Sequence, residues 1–286
     1  MSKNQLSVTH TSSVTPDQID ELGHMNVRYY GQNASAATTA LAKRLGLGDA
    51  SVTGTYTRHH HEQMEGNKLE VRSAVLDDGG DQLRFFHELR NRENDDLAAT
   101  FIHDLRASSA NAPTISLPDY GNPRSLDINV DRVATAPALA ELRARNLAMR
   151  HERKVTDEDT MGAQVTPAWL ANNLLWGGEG LTDDGSWITD TPDGDRVAFA
   201  SMETRVSIAR LPELGTQIQS FSATLDIGEK ILHELSWVFD TGTEELLIAA
   251  ETIDLAFSIT HRRSTTIRPE IRAKEELRLH PDLARI

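Results

Sequence analysis

The chain has 286 residues, 38% hydrophobic and 25% charged, a balance that suits one large globular domain or two smaller ones. Its formal charge of -14 disfavours non-specific binding to nucleic acid or anionic lipid. With no cysteine in the chain, disulfides, thiolate nucleophiles and Cys-ligated zinc are excluded, and catalysis falls to carboxylates, histidines, hydroxyls or backbone dipoles.

The opening MSKNQLSVTHTSS lacks the basic-then-apolar pattern of a secretory signal, and no apolar run approaches the ~18 residues needed to span a bilayer. A cytoplasmic protein with no membrane partner is expected. The first informative stretch is DELGHMNVRYYGQN (20–33), which sets Gly23, His24 and Asn26 just ahead of an apolar segment. One reading is a turn and an N-cap, with Asp20 or Asn26 satisfying orphan amides. The other is an active site assembled at a helix N-terminus. From Asn26 to Leu45 the residues Tyr30, Ala34, Ala37, Leu41 and Leu45 recur at spacings of three and four, and Gly46-Leu47-Gly48 supplies a stop. This predicts a helix with a small-residue face suited to lying close against a sheet.

RHHHEQ (58–63) invites a metal reading, but in a strand His59 and His61 face one way and His60 the other, so the three do not converge and no metal site is expected. Alternating runs at Leu69, Val71, Ser73, Val75 and at Leu83, Phe85, His87, Leu89, separated by DDGGD (77–81), predict antiparallel strands. SSANAPTISLPDYGNPRSLD (108–127) has the composition of an ordered or partly ordered linker, and an Arg within it, Arg124, is a surface ion-pair residue or a phosphate contact. PALAELRARNLAMR (137–150) reads as a short helix.

The second half of the chain repeats the first. Asp159-Thr160-Met161-Gly162 answers Asp20-Glu21-Leu22-Gly23, LGTQIQSFSATLDI (214–227) answers EGNKLEVRSAVLDD (65–78), HEL recurs at 87–89 and 233–235, and IDLAF (253–257) answers HDLRA (103–107). Each match is weak alone; in one order at a near-constant offset they indicate duplication. On this pattern His87 and His233 are equivalent residues kept for packing, while Trp169, Trp176, Trp187 and Trp237, all in the second half, form core or, for one or two of them, the wall of an acyl pocket. The predicted architecture is α+β, two tandem units each with a helix and a curved antiparallel sheet. The boundaries are 1–107 for the first unit, 108–150 for a linker with a short helix, 151–262 for the second unit and 263–286 for a polar tail.

Asp20-x-x-Gly23-His24-Met25-Asn26, with Tyr29 or Tyr30 following, resembles the 4-hydroxybenzoyl-CoA thioesterase-like branch of the hotdog-fold superfamily, whose members typically read D-x-x-G-H-[MV]-N-x-x-x-Y. YTRHHHEQMEGNKLEV (56–71) is similar to that family's strand with a Glu shortly before a Gly-containing turn. The resemblance implies a double hotdog, each long helix wrapped by its curved sheet, hydrolysing acyl thioesters of coenzyme A or of a carrier protein. It implies no cofactor beyond the coenzyme A of the substrate, and an assembly that extends to a homo-oligomer. In the second unit His24 is matched by Ala163 and Asn26 by Val165, so one working site per chain is expected.

A thioester carbonyl under attack becomes an oxyanion, for which N-terminal amides of a helix are donors. Asp20 and Glu62 are the candidate catalytic carboxylates, as base or nucleophile, with His24 and Asn26 as their catalytic partners, orienting carboxylate, substrate and water. Gly23, Met25, Tyr29, Tyr30, His60 and His61 are the expected substrate-binding residues. Two rivals stand beside hydrolysis: a hydratase or dehydratase of acyl thioesters on the same fold, and a non-catalytic acyl-thioester-binding module.

Overall fold

The computed structural model describes residues 6–48, 50–77, 82–107, 112–145, 147–159 and 188–285. The chain divides into two compact units, whose border in the described linker falls between Arg124 and Ser125. Among the described residues no helix is long and apolar enough to cross a membrane.

In the first unit the predicted helix is α1 (Val27–Arg44). Asn26 caps it, its side-chain oxygen accepting from the Arg28 amide at 3.1 Å, a device worth about 1 kcal/mol. Lys43 and Arg44 complement the dipole in the last turn, and Gly46 at φ 72° ends the helix in a conformation that L side chains rarely adopt. Gly31, Ala34, Ser35 and Ala37 are buried, which lets the helix lie close on its sheet. That sheet comprises β1 (Ser7–Ser13), β2 (Ser51–His59), β3 (Lys68–Leu76), β4 (Leu83–Asn91) and β5 (Leu97–Arg106), in the order β1-β3-β4-β5-β2, with antiparallel neighbours. Tyr30, Ala34 and Ala37 of the helix share one core with Val14, Met25, Leu69, Val71, Leu89, Ala99 and Phe101.

The linker, described from Ala112 on, is ordered as a strap. Two residues, β6 (Thr114–Ile115), run parallel to the end of β3, and the chain then crosses the sheet on the side away from α1. There Gly121 meets Phe86, the Tyr120 hydroxyl donates to Glu88, and the buried Arg58 donates to the carbonyls of Tyr120 and Asn122 at 3.2 and 3.0 Å.

The second unit contains α2 (Leu139–Ala144), β7 (Ala148–Lys154), β8 (Thr189–Asp190), β9 (Arg196–Ile208), β10 (Gln217–Ile227), β11 (Ile231–Asp240), β12 (Leu246–Ser258), β13 (Arg263–Ser264) and α3 (Pro269–Glu276). Its order is β7-β10-β11-β12-β9, so both units arrange their five principal strands as first, third, fourth, fifth, second. Trp237 is core, packed with Phe221, Phe239, Leu139, Leu142 and Leu283; Trp169, Trp176 and Trp187 lie outside the described residues. The polar tail is an integral layer. Glu275 of α3 is 1% exposed and accepts from the Thr224 hydroxyl at 2.8 Å, and Arg278 pairs with Glu275 and Glu234.

Equivalent hydrogen bonds fix the correspondence between units more firmly than sequence matching does. Val14 and Asn67 bond as Val155 and Thr216 do, Gly66 and Gly215 both stand at φ near +80° (82° and 83°), and the Asn91 amide bonds to Asp96 as that of Asp240 bonds to Glu245. Two expectations are corrected by it. Ser73 opposes His87 where Ser222 opposes Ser236, so the counterpart of His87 is Ser236 and His233 lies three residues earlier, paired with Glu251 at 2.7 Å. The second concerns Asp159. Its amide bonds to the Thr156 carbonyl, and its carboxylate accepts from the Thr156 amide, as Gln18 does with Thr15. Asp159 is therefore the counterpart of Gln18, is 2% exposed and is held by Arg153 at 2.6 Å; Ala163 and Val165 lie outside the described residues.

Candidate active site

Residues 20–24 form a closed turn. The Asp20 amide donates to the His24 carbonyl at 2.9 Å, the Gly23 amide to the Asp20 carbonyl at 3.0 Å, and Asp20 Oδ1 accepts from the Leu22 amide at 2.9 Å. Gly23 closes it at φ 83°, where a Cβ would be strained. The motif is therefore a turn with an N-cap, and the same turn sets the candidate groups side by side. It leaves Asp20 Oδ2 facing His24 Nδ1 at 3.4 Å, while His24 Nε2 faces Glu62 Oε1 at 3.6 Å. The ring thus stands between two carboxylates, one 17% exposed and the other 38%.

Glu62 comes from the segment beyond β2. The amides of His60 and His61 both donate to the Ala98 carbonyl, two residues against one, so strand alternation stops at His59. The three imidazoles therefore take three separate directions. His59 meets the Tyr30 ring edge-on at 5.2 Å between centroids, His60 Nε2 reaches the Thr100 hydroxyl at 3.3 Å, and His61 Nδ1 reaches the Leu97 carbonyl at 2.9 Å. Thr100 alternates with Ala99 and Phe101 of the helix-side core, so His60 lies on the face away from α1. Burial, with the positive charge of Arg58 and the neighbouring His59, Arg124 and His61, pushes the His60 pKa down to about 4.

Of the other expected contact residues, Met25 is 1% exposed and its side chain is core. Its amide donates to the Gln63 carbonyl at 2.7 Å, which joins the turn to the Glu62 segment. Asn26 is committed to capping. Tyr30 is buried and donates from its hydroxyl to the His61 carbonyl at 3.2 Å; burial raises its pKa well above the ordinary phenol range, so it is a neutral donor. Tyr29 is partly buried, its hydroxyl 3.4 Å from the Asp17 carbonyl. In the first helical turn, Asn26 takes the Arg28 and Tyr29 amides through its side chain and carbonyl, leaving the Val27 amide as the donor these bonds do not use. The structure therefore gathers Asp20, His24 and Glu62 around one ring, with Gly23, Tyr30 and His61 as their support, and sets His60 elsewhere.

Sequence reasoning missed Gln63 and Asn91. Gln63 is 2% exposed, donates from Nε2 to the Glu62 carbonyl at 2.8 Å and accepts from Asn91 at 3.1 Å. A buried amide just past a strand has no periodic signature.

Residues 14–108, which contain all of these groups, match the family profile of the thioesterase-like superfamily. That match spans 95 of the 286 residues. Solved structures similar to the whole chain agree on its fold. An acyl-ACP thioesterase from Bacteroides thetaiotaomicron aligns over 89% of this chain and 100% of its own, at 10% identity and a TM-score of 0.61. The 12:0-ACP thioesterase from Umbellularia californica aligns over 88% and 94%, at 10% and 0.61. The acyl-CoA thioesterase II TesB2 from Mycobacterium marinum aligns over 89% and 96%, at 10% and 0.53. At such identities the likeness is one of fold. Among curated proteins none matches the sequence.

Proposed function

We propose that the chain is a double-hotdog thioesterase that hydrolyses an acyl-CoA or acyl-carrier thioester to free acid and thiol, with one working site, at the turn before α1. The superfamily match of the first unit and the thioesterase names of its fold neighbours support the reaction class. The shared strand order of the two units supports the duplication. The single observation that carries the site is the His24 ring standing between Asp20 and Glu62.

Asp20 Oδ1 is spent on the turn, so Asp20 acts through Oδ2 as the anchor of His24. His24 Nδ1 faces two acceptors, Asp20 Oδ2 and the Met25 carbonyl, each at 3.4 Å, and so carries the ring proton. His24 Nε2 and Glu62 Oε1 stand 3.6 Å apart, a span suited to a bridging water. Glu62, the more exposed carboxylate, takes a proton from that water as its oxygen attacks the thioester carbon. The oxyanion is met by the Val27 amide and the helix dipole. Collapse breaks the carbon–sulfur bond, and the proton on Glu62 passes to the departing sulfur.

The test is thiol release from a panel of acyl-CoA esters, read with a thiol reagent; the chain contributes no background because it has no cysteine. Glu62→Gln and His24→Ala are expected to lower kcat by about 10²–10⁴-fold, the range for a positioned acid or base. Asp20→Asn preserves the acceptor for Leu22 but replaces the charge facing His24, and is expected to fall in the same range. Turnover of enoyl esters without thiol release would establish the hydratase instead, and tight acyl-CoA binding with no turnover the binding module.

A further inference from the structure

Glu62 is exposed and lies beyond the last strand residue of β2, so something other than the sheet must hold it against His24. The buried Gln63 amide is placed to do this. Its Nε2 donates to the Glu62 carbonyl at 2.8 Å, its backbone carbonyl accepts from Met25, next to His24, at 2.7 Å, and its Oε1 accepts from Asn91 Nδ2 at 3.1 Å. One residue therefore ties the Glu62 peptide, the His24 turn and the end of β4 together. Asn91 is 6% exposed and is fixed in turn, its Oδ1 accepting from the Glu93 amide at 2.9 Å.

The second unit supplies an internal control. There the amides of Ala209 and Arg210 both donate to the Leu247 carbonyl, as those of His60 and His61 do to Ala98. Continuing from that pair, Leu211 stands for Glu62, Pro212 for Gln63, and Asp240 for Asn91. Pro212 is buried like Gln63 but has no amide side chain, and Asp240 pairs instead with Arg210 at 3.0 Å. The fold keeps this corner without the Gln–Asn pair where no carboxylate needs holding.

We propose that Gln63, oriented by Asn91, is the positioning residue that sets Glu62 against His24. This rests on the reading of Asp20, His24 and Glu62 as the active site. Gln63 touches neither substrate nor reacting atoms; it fixes the peptide from which Glu62 projects. Misplacing a catalytic group by about 1 Å costs on the order of 10²-fold in rate, so loss of this hold shows in kcat rather than in KM.

Two full-length variants test it. Gln63→Met keeps the reach of the side chain and removes its hydrogen bonds. Asn91→Asp presents an acceptor to Gln63, so the amide turns over and its oxygen meets the Glu62 carbonyl. The turn itself accepts Asp, since Asp240 Oδ1 takes the Gly242 amide at 2.9 Å in the repeat. Each variant is expected to lose about tenfold or more in kcat with KM unchanged. In 15N-histidine-labelled protein the His24 Nε2 resonance is expected to move toward its position in Glu62→Gln. A His24 resonance that stays at its wild-type position in both variants would overturn the proposal, as would unchanged kcat accompanied only by a lower melting temperature. If Gln63→Met fails to fold, Asn91→Asp decides. If the wild-type chain releases no thiol from any ester, the thioesterase reading fails, and the resonance comparison still decides whether Gln63 holds Glu62.

Discussion

Thr38 carries a hydroxyl from α1 into the space between two buried imidazoles, and one arrangement of protons satisfies every bond around it. Thr9 donates to the Val71 carbonyl at 3.2 Å, so Ser73 must donate to Thr9 at 2.6 Å and His87 Nδ1 to Ser73 at 2.7 Å. Thr38 then donates to His87 Nε2 at 2.9 Å and accepts from His103 Nδ1 at 2.7 Å, because each hydroxyl has one proton to give. In this arrangement each imidazole donates from Nδ1. Burial, with His103 alongside, holds His87 well below its ordinary value of 6.5. The unfolded chain therefore binds a proton below that pH which the folded chain refuses. The stability is whole above pH 6.5 and is lost as pH falls toward the folded value, at up to about 1.4 kcal/mol per pH unit. Urea midpoints measured between pH 7.5 and 5 should fall in the wild type and fall less in His87→Gln; equal slopes would place the loss in other groups. His60, pushed down to about 4, is predicted to stay neutral at pH 5.5, which its ring 13C and 15N shifts would read directly.

At the level of elements, the strap across the first sheet depends on a residue without a side chain. A Cβ on Gly121 would lie 2.8 Å from Phe86 Cε2 and 3.1 Å from Leu117 Cδ1, and Phe86 is fully buried. Gly121→Ala is therefore predicted to cost about 1–3 kcal/mol by overpacking, seen as a lower urea midpoint; an unchanged midpoint would mean the strap does not bear on Phe86. This contact also shows where the amino-acid pattern runs out. Helix α1 was legible to within a residue at each end, because the apolar spacing, Asn26 and Gly46 all act within one turn of chain. The strands were legible because Leu69, Val71, Ser73 and Val75 alternate. The strap was not. Its residues read as a polar linker, and its order comes from Arg58, Glu88 and Phe86, contacts that no local period encodes. The site divides in the same way. Asp20, Gly23, His24 and Glu62 carried recognisable chemistry, while the bulge against Ala98 reset the directions of the three histidines, and Gln63 gains its meaning only from Met25 and Asn91.

Across the whole molecule the same five-strand order occurs twice, and the described residues set different elements around each sheet. The first sheet carries the strap and α1, with a polar relay beneath the helix. The second packs α2 and the C-terminal segment around Trp237, and its α3 brings Glu275 and Arg278 to Thr224 and Glu234. Local sequence similarity paired His87 with His233 and Asp20 with Asp159. Strand register and turn hydrogen bonds replace those pairs with Ser236 and Gln18, because bulges and turn lengths shift the offset where short matches cannot detect it. The corrected correspondence strengthens the expectation of one site per chain, for Leu211, Pro212 and Asp240 remove the carboxylate and both members of its support together. Calorimetric titration with a non-hydrolysable acyl-CoA analogue is predicted to give one equivalent per chain. Restoring a carboxylate in the second unit, as Leu211→Glu, should not recover turnover in a Glu62→Gln background, since Pro212 has no amide to hold it and Asp240 is already paired with Arg210. Recovery of thiol release in that double variant, or binding of two equivalents, would mean that the second unit retains a site of its own.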